Sequence, residues 1–478
     1  MSAKVMVKSE QILKSREDKF PLLFSRCSED KKHEDYTKFK LADSLKSSWV
    51  KSGDIIGEEI IRSRIEPWLT ALFQSEHLSL LVGSGLSNGV HELATGNKLP
   101  GMGWVDFQNS KDDLDAAVSK SATDAGRDKG NIEDQIRVAN ELIRGLEILA
   151  HSDSKKTDEA AKLATELSSV IQKFASSILD GERGLLEADP AKRVSAFNYL
   201  VSFLMSFSSR TGTRDRLQIF TTNYDRFIEA GADVAGLHLI DRFVGTLAPV
   251  YRSSRLDIDM HYNPPGIRGE PRYLEGVAKF TKLHGSLDWV KSDRNIHRIG
   301  LPFGAQTIEP YLRPAKTPAE TALQLMIYPN SAKDWETTLY PYADLFRDFA
   351  SAVCRPNSTL VTFGYSFGDD HINRVIEDML TIPSSHLVVI SHGDPLGRIM
   401  QTYERLGRTA QISLMVGNHL GDLQQLVDNY LPKPAIDRTT FRMAELLSTR
   451  WSVKSKGDGE EATKSDHEKS DAEGELAE

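Results

Sequence analysis

Six short, mostly apolar runs, each broken off by a glycine or a polar cluster, most constrain what this chain can fold into. They are Leu78–Val82, Leu217–Phe220, Ala278–Leu283, Thr359–Phe363, His386–Ile390 and Gln411–Met415. Each is too short for a core helix. Several are continuously apolar rather than alternating, as strands covered on both faces are. Helix-compatible segments separate several of them. Strands interleaved with helices predict an α/β fold built on a doubly wound parallel sheet. In such sheets ligands bind outside the carboxyl ends of the strands. The residues that follow each run are therefore the ones to read for function.

Four of these strand ends carry chemistry. The first reads Gly83-Ser84-Gly85-Leu86-Ser87-Asn88-Gly89. Glycines allow close backbone approach, and free N–H groups at a helix start can hold a pyrophosphate. The spacing is neither G-x-G-x-x-G nor a Walker A loop, and a plain tight turn would also explain it. The second reads Thr221-Thr222-Asn223-Tyr224-Asp225; it offers hydroxyl, amide and carboxylate, or simply the N-cap of a following helix. The third, Leu283-His284-Gly285-Ser286, sets an imidazole beside the crevice as a candidate general base, although a lone histidine is commonly structural. The fourth is Phe363-Gly364-Tyr365-Ser366-Phe367-Gly368-Asp369-Asp370-His371. Here Gly364 and Ser366 suit a second phosphate or a ribose, Asp369 and Asp370 read as helix caps, and His371 reads as surface or structural. Together the four ends suit a dinucleotide whose glycosidic bond is broken.

The rest of the chain sets provisional boundaries. Residues 1–54 are charge-rich and read as one or two surface helices, partly disordered. Residues 55–106 and 211–435 hold the strand runs. Residues 107–210 carry two apolar stripes at helical spacing, Ile132 to Leu146 and Leu163 to Ile178, and read as a helical insertion. Between 245 and 340, Pro, Gly, Tyr and Arg dominate, which predicts long loops covering a site. Residues 436–478 form a C-terminal segment. From about residue 453 it is acidic, nearly devoid of apolar residues and predicted disordered.

Composition removes several classes. The formal charge of −9 argues against a dedicated nucleic-acid binder, which needs cationic surface to displace phosphate counterions, so contact with nucleic acid is expected only through a partner. The two cysteines, Cys27 and Cys354, cannot build a thiolate zinc site and fit a reducing cytoplasm. No apolar run approaches the roughly 18 residues of a membrane span, and the charged N-terminus does not read as a secretory signal.

The ordered set Gly83-Ser84-Gly85-Leu86-Ser87, Thr222-Asn223-Tyr224-Asp225, Leu283-His284-Gly285-Ser286 and Phe363-Gly364-Tyr365-Ser366 resembles the sirtuin-like domain. It is most similar to the branch found in prokaryotic antiphage defence, where such domains hydrolyse NAD. The resemblance covers roughly residues 60–430 and implies a Rossmann-like, sirtuin-like sheet. It departs from the protein-deacylating branch in two ways. The four-cysteine zinc module of that branch is missing, so neither zinc nor any other metal is expected. Thr222 and Tyr224 also stand where deacylases carry Gln and Ile.

The resemblance implies that NAD is the substrate and that the products are nicotinamide and ADP-ribose. It gives Asn223 the ribose or the attacking water, Asp225 the orientation of that shell, and His284 the role of base. Gly83, Ser84 and Gly85 would hold the pyrophosphate, Gly364 and Ser366 would lie on the adenosine side, and Ser87 and Thr222 would also belong to the NAD-binding set. It also implies a homo-oligomer and an accessory protein, such as a HerA-type hexameric ATPase, because the 63 residues after Met415 leave no room for a sensor domain. The competing readings are an NAD-dependent protein deacylase and a non-enzymatic sensor of NAD or an ADP-ribose derivative.

Overall fold

A computed structural model describes residues 10–27, 38–42, 47–100, 103–124, 130, 132–209, 214–254, 258–262, 272–292, 295–312 and 341–433. The expected disordered tail and part of the 245–340 loop region lie outside these residues.

The strands in chain order are β1 (Glu10–Lys14), β2 (Leu22–Cys27), β3 (Lys38–Leu41), β4 (Ile55–Gly57), β5 (His77–Val82), β6 (Leu217–Thr221), β7 (His238–Ile240), β8 (Phe243–Val244), β9 (Val250–Tyr251), β10 (His261–Tyr262), β11 (Arg272–Tyr273), β12 (Val277–Lys282), β13 (Trp289–Ser292), β14 (Asn295–Arg298), β15 (Ser358–Phe363), β16 (His386–Ser391) and β17 (Ile412–Val416). Eleven of them form one sheet, in the order β4-β3-β2-β1-β17-β16-β15-β5-β6-β12-β7. From β17 to β7 every pairing is parallel. All six apolar runs fall within this parallel section or reach one residue past it.

The chain order explains where a ligand can bind. From β5 the sheet grows through β6 and β12 on one side, then resumes on the other side of β5 with β15, β16 and β17. The order reverses between β5 and β15, and a crevice opens at the carboxyl ends of strands where that happens.

Each central strand is buried on both faces. In β5, Leu80 and Val82 pack into the core shared with α1 (Glu58–Phe73), α2 (Ser84–Thr95), α6 (Pro190–Ser208) and α7 (Phe227–Ala235). Leu81 points the other way, toward the helices Tyr342–Val353, Asp370–Leu380 and Arg398–Leu406. A third core lies in the insertion, between α3 (Lys111–Asp124), α4 (Ile132–Leu149) and α5 (Lys155–Glu187). Tyr224 and Leu287 join it from the strand ends.

The first fifty residues differ from the helices that the sequence suggests. Their described part forms β1, β2 and β3, an antiparallel extension that joins the parallel section through β1 and β17. Tertiary pairing outweighs the charged local composition. The buried Lys14 ammonium donates to the carbonyls of Thr409, at 2.5 Å, and Ile412, at 2.8 Å. Gln11 Oε1 accepts from the backbone of His419 and Leu420. These polar side chains are what fix the edge.

His386 opens β16 and is 6% exposed, with Nε2 at 3.0 Å from the Ser413 hydroxyl of β17. Burial, with Arg16 and Lys14 nearby, pushes its pKa down to about 4. In the unfolded chain the group titrates near 6.5. Its stabilising contribution is therefore present above pH 6.5 and is lost as the pH falls toward 4. We expect roughly 2–3 kcal/mol of stability to disappear between pH 7 and pH 4.5 through this group. Denaturant unfolding of the wild type and of His386→Gln at both pH values checks this. Equal losses in the two proteins would remove His386 as the cause.

Candidate active site

The reversal point holds a cavity of about 740 Å³, within the range of small-ligand sites. Its wall includes Gly83 and Ser84 from the end of β5, Thr222, Asn223 and Asp225 from the end of β6, His284 after β12, and Gly364 and Ser366 after β15. Four strand ends spread over about 280 residues thus meet on one cavity.

The glycines after β5 and β15 are there because two backbones interlock. A Cβ on Gly83 would sit 2.4 Å from the Gly364 carbonyl oxygen, and one on Gly85 would sit 2.5 Å from the Gly364 Cα. Gly364 itself has φ +62°, a conformation costly for any other residue. The Gly83 N–H donates to Phe363 O at 3.0 Å and the Gly85 N–H to Gly364 O at 3.1 Å. Those two N–H groups are committed to holding the turns together rather than aimed at a phosphate. What faces the cavity is the exposed Ser84 at the start of α2, where the helix dipole favours an anion.

Gly85 and Ser87 do not line the cavity; they stand behind it. Ser87 is 1% exposed and links the two polar residues of the next turn. The Asn223 amide donates to Gly83 O and to Ser87 Oγ, each at 3.0 Å, and Ser87 is hydrogen-bonded to the Asp225 carboxyl. Burial raises the Asp225 pKa above the usual carboxylate range; the Lys282 ammonium and the Ser87 hydroxyl oppose that rise without cancelling it. The helix-cap reading of this turn also holds in part, since the Phe227 N–H donates to Asp225 at 3.3 Å.

His284 is 1% exposed, and its Nε2 lies 3.3 Å from Nε2 of His371. His371 is thus no surface residue: it is 9% exposed and packs edge-on against Phe346. Its turn is fixed by the Tyr365 hydroxyl, which donates to Asn373 Oδ1, and by the Asn373 amide, which donates to Phe367 O. Asp369 precedes the helix Asp370–Leu380 as expected of a cap, but its side chain makes no capping bond and instead faces the cavity.

Several wall residues were not read from the sequence. Glu133 of α4 and Phe174, Ser177 and Ile178 of α5 bring the helical insertion over the cavity. The Tyr224 hydroxyl donates to Glu133 at 3.2 Å, and its ring meets Phe174 edge-on. Arg398, at the start of the helix Arg398–Leu406, adds a guanidinium to the wall. Its only sequence signal is a Gly-Arg pair after a strand, which says nothing of where the cation ends up.

Residues 217–412 match the family described as SIR2-like domain. Over this stretch, which is less than half of the chain, the protein is similar to a SIR2-like domain. Domains of this family are in general NAD-dependent enzymes and bind NAD. The matched stretch begins at β6, so β5 and the Gly83–Ser87 turn lie before it, although Gly83 and Ser84 line the same cavity. No curated protein matches the chain. Among the described residues no helix is long and apolar enough to cross a membrane.

Proposed function

We propose that the protein is an NAD⁺ hydrolase that cleaves the bond between nicotinamide and ribose. The observation that carries this reading is the convergence of Asn223, Asp225, His284, Gly364 and Ser366 on one cavity of about 740 Å³. A binding site alone has no need of a buried imidazole among them.

Nicotinamide is a cationic substituent that departs neutral, so the departure needs no acid. The ribose carbon develops positive charge as the bond breaks, and a water oxygen closes on it. One proton of the water passes to a base and the other stays on the new hydroxyl, leaving ADP-ribose. The protein's work is orientation, exclusion of bulk water and placement of that base. With its amide protons held by Gly83 and Ser87, Asn223 presents Oδ1 to a ribose hydroxyl or to the water. His284 takes the proton. An ionised Asp225 favours the developing cation, and Ser84 with Arg398 faces the anionic pyrophosphate. Gly364 and Ser366 take the adenosine side. Glu133, Phe174 and Ile178 close the cavity from above.

The same proposal places this activity in antiphage defence, where NAD depletion must be held off until it is triggered. Self-assembly and an accessory protein of the HerA-type ATPase class would supply that control. Light scattering of the chain alone and with such an ATPase checks it; a monomer with full activity by itself would overturn it.

The direct test is nicotinamide release from NAD, followed by chromatography. His284→Ala is expected to lose about 10²- to 10⁴-fold while remaining folded, with a melting temperature lowered by the loss of one buried side chain. Asn223→Ala should lose activity as well, and also about 1–3 kcal/mol of stability, because the Ser87 hydroxyl loses a donor and Gly83 O keeps only the Leu86 N–H. Undiminished release by folded His284→Ala would rule out that base. Tight NAD binding without release, with and without the partner, would make the site a sensor.

A further inference from the structure

A cluster with two members on the cavity wall, His284 and Asp369, and a third, His371, behind them is left partly unexplained by the hydrolysis scheme. His284, Asp369 and His371 each offer a ligand atom, and these atoms all lie within 4.8 Å of one another. The two imidazoles meet through their Nε2 atoms at 3.3 Å. Metal–nitrogen bonds of about 2.0–2.1 Å at a tetrahedral angle set two ligand nitrogens about 3.3 Å apart. The histidine pair thus already has the spacing of one edge of a tetrahedral site.

The surroundings hold that edge in place. Both rings are buried, Phe346 packs against His371 with ring centroids 4.8 Å apart, and Tyr365 and Asn373 fix the turn that carries Asp369. Asp369 is half-buried on the cavity wall, and a carboxylate oxygen of it already lies within 4.8 Å of a nitrogen of each ring. Two imidazoles and one carboxylate suit a borderline divalent ion such as Zn²⁺ or Co²⁺, and three protein ligands leave a fourth position facing the cavity.

We propose that His284, His371 and Asp369 form a binding site for a divalent transition-metal ion, and that filling it switches off hydrolysis. The metal uses the Nε2 lone pair with which His284 would take a proton, so one imidazole cannot serve both ends at once. The second half of the proposal rests on the hydrolase reading; the first does not.

The two halves have separate readouts. Full-length protein treated with chelator and then dialysed against Zn²⁺ should take up one equivalent, and Co²⁺ should give the visible absorption of a four-coordinate ion. His371→Ala and Asp369→Asn should each weaken uptake about tenfold or more. Asp369→Asn, altered at a half-buried position, guards against misfolding of the His371 variant. Stoichiometric Zn²⁺ should then suppress nicotinamide release by the wild type, with recovery on chelation, and should not suppress the residual release of Asp369→Asn at the same concentration. Absence of stoichiometric uptake, or uptake unchanged in both variants, would overturn the site. Faster release with Zn²⁺ would overturn the inhibitory role. Uptake at these residues in a protein that never releases nicotinamide, chelated or not, would leave the metal site standing and defeat the hydrolase reading.

Discussion

Gly364→Ala is expected to lower stability by about 4 kcal/mol and to take nicotinamide release down with it. Two costs combine. A residue other than glycine at φ +62° pays about 1–2 kcal/mol for the left-handed conformation. The added Cβ also falls 2.5 Å from Gly85 Cα and 2.9 Å from Gly85 N. These are backbone atoms, so no rotamer change relieves the contact, and the turns after β5 and β15 must move apart. Parting them breaks the hydrogen bond from the Gly85 N–H to Gly364 O and shifts Ser84 relative to Ser366 on the cavity wall. Gly96→Ala separates the two costs. Gly96 has φ +76° at the end of α2, with nothing within 4 Å of its added Cβ, so it should lose only about 1–2 kcal/mol. Thermal unfolding of both variants decides the matter. If Gly364→Ala is no worse than Gly96→Ala, the interlocked turns are not what holds the crevice.

The second large effect is expected at Glu182→Ala, which should cost about 3–5 kcal/mol. Glu182 is fully buried on α5 and pairs with Arg226, itself 6% exposed at the start of α7. The carboxylate accepts from the Arg226 N–H at 3.0 Å, from its Nε at 3.1 Å, and from the Gly304 N–H at 3.1 Å. Arg226 also donates to the carbonyls of Leu301 and Pro302. One carboxylate thus ties the insertion to the residue following Asp225 and to the loop at 301–304. Removing it strands a buried guanidinium and frees the α5 wall above the cavity. Glu182→Gln keeps part of the hydrogen bonding and should lose less. Replacing both partners, as Glu182→Leu with Arg226→Met, should recover much of the loss because no charge is left unpaired. A loss under 1 kcal/mol for Glu182→Ala would show that the pair does not anchor the insertion. The KM for NAD should rise in Glu182→Ala if Phe174 and Ile178 help to enclose the substrate.

Much of the fold is legible in the sequence. A strand buried on both faces has no polar side to display, so Leu78–Val82 and His386–Ile390 declare themselves as central strands. Their spacing by helical segments declares the parallel winding. The edge was not legible. Glu10–Lys14 carries a local pattern of charge that reads as exposed, and only pairing with β17 gives Lys14 and Gln11 their buried partners.

The site divides the same way. Asn223, Asp225, His284 and Gly364 stand at the carboxyl ends of recognisable strands, where backbone direction alone aims residues at a common crevice. The expectation of no zinc rests on cysteine spacing, which is local and does not bear on histidines. His284 and His371 are 87 positions apart, and no spacing rule relates them.

The sequence by itself determined the parallel sheet, the strand ends that meet on the cavity and the sirtuin-like resemblance, because each depends on short-range pattern and chain direction. Only the tertiary structure decided that Gly83, Gly85 and Gly364 serve one another before any ligand, that α4 and α5 roof the cavity, and that His371 and Asp369 stand beside His284. Those facts depend on distances between residues far apart in the chain, which packing sets and local sequence does not encode.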